Sequence, residues 1–276
     1  MPKRCLGLLG LLFVLALAGC ASERRPSTRA AGQPDDIHVP PFARWPYQRF
    51  SREAAVQIAM REWRAFGQPV VVKHGELAGD PASGNERTEG LWQRIGEYWW
   101  LGLPFGASEQ GFTGKHNQNG TVFSAGQDTG YAWSAAFVAY VMRMAGAGQR
   151  FPYSATHADY INAARQRGTA DRSPLAIAAE RPESYAPQRG DLICMWRGRR
   201  PIRYDELPTG RFAGHCDIVV ALRPGLIDAI GGNVDDSVAM KRVPTTTDGR
   251  IADSDGRALD PDHPWFVVVR VAYDIN

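Results

Sequence analysis

Apolar residues recur along this chain in two different periods, and the change from one to the other divides it. Residues 6–18 form an almost unbroken apolar run, shorter than the about 20 residues that a membrane-spanning helix needs. Residues 21–45 are polar and rich in Arg, Ser, Pro and Ala, with no apolar period, which predicts a flexible tether. Over 51–66, Ala55, Ile58, Ala59 and Trp63 recur at helical spacing behind a capping Ser51 and a first-turn Glu53, which predicts a helix. A second helix is predicted over 89–101, with Leu91, Ile95, Tyr98 and Trp99 on its inner face and Trp92 at the edge. Residues 102–130 are dense in Gly, Asn, Gln and Ser and predict a loop, of a length often tied to function. The segment 133–147 has almost no polar face and predicts a buried helix, and 156–167 predicts another, stopped by Gly168. From about 188 the pattern becomes short apolar runs between turns, at 191–196, 215–222, 226–230, 237–243 and 265–271. Helices first and strands later predict an α+β domain, with N-terminal helices packed on an antiparallel β-sheet.

Composition narrows the class. The chain has 276 residues, 44% hydrophobic and 22% charged, which fits a globular protein and excludes disordered or collagen-like ones. A net charge of +3 is too balanced to argue for nucleic-acid binding. Four Cys in this length are too few for a disulfide scaffold. Two of them, Cys5 and Cys20, flank the first apolar run, which follows Lys3 and Arg4 as in a secretory signal. Its end, Leu17-Ala18-Gly19-Cys20, resembles the bacterial lipoprotein signal. That resemblance implies cleavage before Cys20, lipidation of Cys20 and, with Ala21 next, delivery to the outer membrane. A plain signal peptide with an incidental Cys is the alternative. Several acyl chains on one residue make a firm anchor, at about 0.8 kcal/mol per buried methylene.

Three segments carry candidate chemistry. Ser134 opens the buried helix, where free N–H groups and a partial positive charge favour a developing oxyanion. His215 opens a strand in Gly214-His215-Cys216-Asp217, and Asn233 follows the next strand in Gly231-Gly232-Asn233. These make a nucleophile–base–orienter set if Ser134 gives its proton to His215 and Asn233 fixes the tautomer. From their spacing alone, the same residues read more readily as a helix cap and a structural histidine. Asp217, two residues from His215 on the same strand face, and His157 and Trp133 are candidate supporting residues, although His157, at the start of a helix, reads more readily as a surface residue than as part of a cleft. Strand alternation sends Cys194 and Cys216 to one face of a predicted hairpin, within disulfide reach if they lie opposite, and otherwise leaves two buried thiols. Cys216 then points into the core, which argues against its being a nucleophile. Too few Cys remain for a Cys-based zinc site, so no metal or cofactor is expected. The basic loop 197–203 either greets anionic groups or is a solvated turn. Tyr98, Trp99 and Trp100 read as core packing rather than a sugar platform.

The order of Trp133-Ser134-Ala135-Ala136-Phe137-Val138, Gly190-Asp191-Leu192-Ile193, Gly214-His215 and Gly231-Gly232-Asn233 resembles the NlpC/CHAP superfamily of papain-like amidases and endopeptidases, many of which cleave peptidoglycan. Within it, the chain is similar to an uncharacterised family of bacterial lipoproteins. The resemblance implies a papain-like core over 125–276, preceded by a helical extension and loop over 46–124, a lipidated Cys and tether over 20–45 and a signal over 1–19. It implies a peptidoglycan hydrolase using Ser134, His215 and Asn233 on the periplasmic face of the outer membrane. The superfamily's enzymes carry Cys where this chain has Ser134. A hydroxyl is harder to deprotonate than a thiol of pKa near ~8.5. The alternatives are an inactive papain-like domain that binds peptidoglycan or a protein partner, and acyl transfer involving lipids.

Overall fold

The structure is a computed structural model. It describes residues 49–72, 76–78, 84–167 and 175–274. The expected signal, the lipidation of Cys20 and the tether lie outside the described residues.

Among the described residues, four α-helices and an eight-stranded sheet make a mixed α+β fold. The helices are α1 (Arg52–Ala65), α2 (Leu91–Gly102), α3 (Ser134–Met144) and α4 (His157–Arg167). Two short strands, β1 (Val70–Val71) and β2 (Leu77–Ala78), lie between α1 and α2, and β3 (Ile177–Glu180) follows α4. The longer strands are β4 (Leu192–Trp196), β5 (Gly214–Arg223), β6 (Leu226–Val234), β7 (Ser237–Pro244) and β8 (Trp265–Val271). The sheet order is β2-β1-β7-β6-β5-β4-β8-β3. Its pairs are antiparallel except β1–β7, where Val70 pairs with Met240 in parallel. The expected all-antiparallel sheet is therefore corrected at one edge, where the chain leaving α1 runs beside β7 in the same direction.

Local chemistry explains the helices. Ser51 caps α1 by accepting from the Ala54 N–H at 3.1 Å, and Gly67 at φ 84° and Gln68 at φ 62° turn the chain after its end. Helix α3 is apolar all round because it is enclosed all round, with every residue from Ser134 to Met142 buried. Two glycines set how tightly it is gripped. A Cβ on Gly102 of α2 would lie 2.5 Å from the Ala136 carbonyl oxygen, and one on Gly232 of β6 would lie 2.6 Å from Phe137 Cβ. One hydrophobic cluster runs from Phe50 through α1, α2 and α3 to Tyr273, so the N-terminal helices share the core of the later strands. Tyr98 and Trp99 lie in that core, whereas Trp100 is 49% exposed.

Cys194 and Cys216 face each other across β4 and β5 and form a disulfide. Asp191, before β4, accepts from the N–H groups of Gln188 and Val271, each at 2.9 Å, and so ties β4 to β8. Among the described residues, no helix is long and apolar enough to cross a membrane.

Candidate functional site

The first residue of α3 carries the site. Trp133, not Ser134, is the N-cap, and its side chain makes no capping bond. The Ser134 hydroxyl is thus free of the usual capping task. It lies 2.7 Å from Nε2 of His157, the first residue of α4. The other nitrogen of that ring, Nδ1, hydrogen-bonds the Tyr160 phenol one turn along the same helix. Two tautomers satisfy these contacts. Only the one in which Nδ1–H donates to the Tyr160 oxygen leaves Nε2 to accept the Ser134 O–H. Burial holds the Tyr160 phenol well above its usual pKa, with the Asp217 charge adding to it, so it stays neutral.

His215 stands beside this pair, its ring centroid 5.3 Å from that of His157. Its Nε2–H donates to Asp217 Oδ1 at 2.7 Å, and Asp217 Oδ2 accepts from Lys241 Nζ of β7 at 2.8 Å. His215, Asp217 and Lys241 are all buried. Burial alone would push the Asp217 carboxyl up, but the Lys241 charge and then His215 outweigh it and hold Asp217 well below the usual carboxylate range. The Nδ1 atom of His215 is buried with no hydrogen-bond partner.

The expected Ser134–His215–Asn233 set is thus rearranged. Ser134 meets His157, and His215 is oriented by Asp217 rather than by Asn233. The reason is a bulge. Register shifts between Gly231 and Val234 in the β6–β7 pair, and Asn233 takes a left-handed φ of 54° there. Regular alternation, which would have put Asn233 on the His215 side, is broken. Asn233 makes no hydrogen bond to His215; it enters a hairpin whose Asp235 and Asp236, at φ 48° and 56°, fit a type I′ turn. What β6 contributes is an absence of side chain. A Cβ on Gly231 would sit 1.9 Å from Asp217 Oδ1 and 2.8 Å from His215 Nε2. The bare backbone at Gly231 therefore lets the carboxylate reach the ring.

Trp133 is fully buried, and its indole N–H donates to Glu86 Oε2 at 2.7 Å, fixing the start of α3 from below the site. Arg197, in the turn after β4, adds a positive field that disfavours protonation of both histidines. Sequence reading missed Tyr160, Lys241, Gly231 and Glu86. Lys241 carried a signal: alternation in Ala239-Met240-Lys241-Arg242-Val243 puts it in line with Ala239 and Val243, an inward charge that requires a buried partner. Among the described residues, no group of three or more His, Cys, Asp or Glu is placed to hold a metal ion.

Burial lowers the pKa of His157 well below the ordinary value, with the neighbouring His215 adding to it and Asp217 opposing. His215 is lowered for the same first reason, again against Asp217. Below about pH 6.5 the unfolded chain therefore binds protons that the folded chain refuses, so stability falls as pH drops below that value. The Asp217 contribution persists until pH falls below about 4, the ordinary carboxylate value, and is lost toward its depressed native pKa. Thermal unfolding is expected to be flat above pH about 7 and to shift downward between about 6.5 and 5. A midpoint that rises over that interval would contradict two histidines held neutral.

The site residues Ser134, His157, His215, Asp217 and Lys241 all fall within residues 86–271, which match a family model described as "Uncharacterized protein conserved in bacteria (DUF2272)". No curated protein and no solved structure matches the chain. The matched span opens at Glu86, which holds Trp133, closes at the end of β8 and takes in more than half of the sequence, so the chain belongs to the DUF2272 family of bacterial proteins.

Proposed function

We propose that this protein is a serine-nucleophile amide hydrolase of papain-like architecture that acts on peptidoglycan, held at the outer membrane by a lipidated Cys20. The observation that carries the chemistry is the 2.7 Å contact between Ser134 Oγ and His157 Nε2 at the start of a buried helix. In the reading offered here, Ser134 Oγ attacks the amide carbonyl while its proton passes to His157 Nε2. His157 then gives that proton to the departing amine, leaving an acyl ester on Ser134. Water hydrolyses the ester and restores the hydroxyl. The first-turn N–H groups of α3 have no partners within the helix and, in this reading, serve the developing oxyanion. The substrate class and the anchor rest on the resemblance to NlpC/CHAP enzymes and to lipoprotein signals.

The test is digestion of purified peptidoglycan with the full-length chain, read by mass spectrometry of released fragments. Wild type should release muropeptide or stem-peptide fragments, Ser134→Ala should release none, and Ser134→Cys should retain activity. If neither wild type nor Ser134→Cys releases product, the hydrolase reading fails.

One observation favours a second reading. Ser134 is only 6% exposed and His157 only 4%, so the pair is nearly closed to a polymer. A non-catalytic wall-binding domain would explain this closure, and it predicts sedimentation with peptidoglycan that survives Ser134→Ala.

A further inference from the structure

The loop between β4 and β5, residues 197–213, carries five arginines against two acidic residues. Both acids are taken: Asp205 pairs with Arg181, and Glu206 with Arg200. The side chains of Arg197, Arg199 and Arg211 are exposed and, among the described residues, make no hydrogen bond or ion pair. The loop is held in place. Asn162 of α4 donates from Nδ2 to the Thr209 carbonyl at 2.7 Å and accepts the Thr209 N–H at 3.0 Å, and Ile202 and Leu207 are buried. Helix α4 begins with His157 and β5 begins Gly214-His215, so the loop is fixed to both elements that bring a histidine to the site.

Arg197 stands nearest to the chemistry. Met195 pairs with His215, and the ladder runs on past the end of β4, where the Arg197 N–H donates to the Ala213 carbonyl at 2.7 Å. Alternation therefore puts Arg197 on the face that carries Met195 and His215. Its charge is felt at both His157 and His215. Lys241 is felt at both as well, but it is buried and committed to Asp217. Arg197 is thus a cation beside the site that is open to an incoming group.

An unpaired guanidinium calls for an anion, and a carboxylate matches its fork of N–H donors. A peptide ammonium in the same place would be repelled. We infer that Arg197 seats a carboxylate of the substrate, so that the Ser134 site selects amides standing beside a free carboxylate in a peptide. The contact is made at the surface, ahead of the nearly closed Ser134–His157 pair. The inference rests on the amide-hydrolase reading of that pair, to which it adds what the substrate must carry.

Titration calorimetry tests it with muropeptides released from purified peptidoglycan by a muramidase, one sample with its carboxylates free and one with them converted to amides. The protein is the full-length Ser134→Ala variant, so that nothing is cleaved. The free-carboxylate sample should bind about five-fold or more tighter than the amide sample. Adding Arg197→Gln should erase that preference and leave the affinity for the amide sample unchanged. Adding Arg64→Gln instead, which removes the same charge from an exposed position on α1, should keep the preference. The Arg197 side chain makes no bond, so its variant should keep the parent unfolding temperature. Equal affinity for the two samples, no binding of either, a preference that survives Arg197→Gln, or one lost in Arg64→Gln overturns the inference. No cleavage is read, so these outcomes stand apart from wild-type digestion, whose failure would remove the hydrolase and leave the carboxylate site.

Discussion

If Ser134 is the nucleophile of the proposed hydrolase, His157→Gln is expected to slow its acylation by about 10²–10⁴-fold, the range a positioned general base contributes. Gln keeps a hydrogen-bonding side chain at the start of α4 but cannot carry a proton from the 2.7 Å contact. His215→Gln leaves that contact in place, so it should cost less in the acylation step. The measurement is the rate at which an activated acyl ester adds its acyl mass to Ser134, with Ser134→Ala as the blank. Equal rates in wild type and His157→Gln would remove His157 from the chemistry. Slow acylation in His215→Gln with a normal rate in His157→Gln would return the base to His215.

The second large effect is on stability. Asp217→Ala leaves the Lys241 ammonium buried without its carboxylate partner and His215 without its acceptor. Removing one member of a buried ion pair costs about 3–5 kcal/mol. For a domain of this size that corresponds to a fall of roughly 10 °C in the unfolding midpoint. The double variant Asp217→Leu, Lys241→Met removes both charges at once and should recover much of the loss, because an apolar pair needs no compensation. Calorimetry of Asp217→Leu, of Lys241→Met and of the double gives the coupling directly. Single losses that simply add would mean that the pair does not act as a unit.

How far the sequence foretold this arrangement depends on the kind of signal each element carried. Helices α1 and α2 show a clear apolar period, α3 and strands β4 to β8 read as apolar runs, and both patterns report burial directly. Strands β1 and β2 have two residues each, too few to show a period, and β3 reads Ile-Ala-Ala-Glu, which propensity does not mark as strand. Alternation puts the Cys194 and Cys216 side chains on one face, and the β4–β5 register then sets them opposite and completes the disulfide. The site was half accessible. Ser134 and His215 announced themselves by sitting where elements begin. His157 looked like a surface residue because α4 is polar overall, and only tertiary packing turns its first residue inward. Asn233 misled for a local reason: one bulge cancels the alternation on which its orienting role rested.

Gly231 leaves a further mark on how the site is specified. The space that an orienting side chain from β6 would occupy is the space that the Asp217 carboxylate fills. The two solutions exclude one another, so positions 217 and 231 form a single choice rather than two. A chain that moves its orienter from one strand to the other must change both positions together. Either change alone leaves His215 crowded by two groups or held by none.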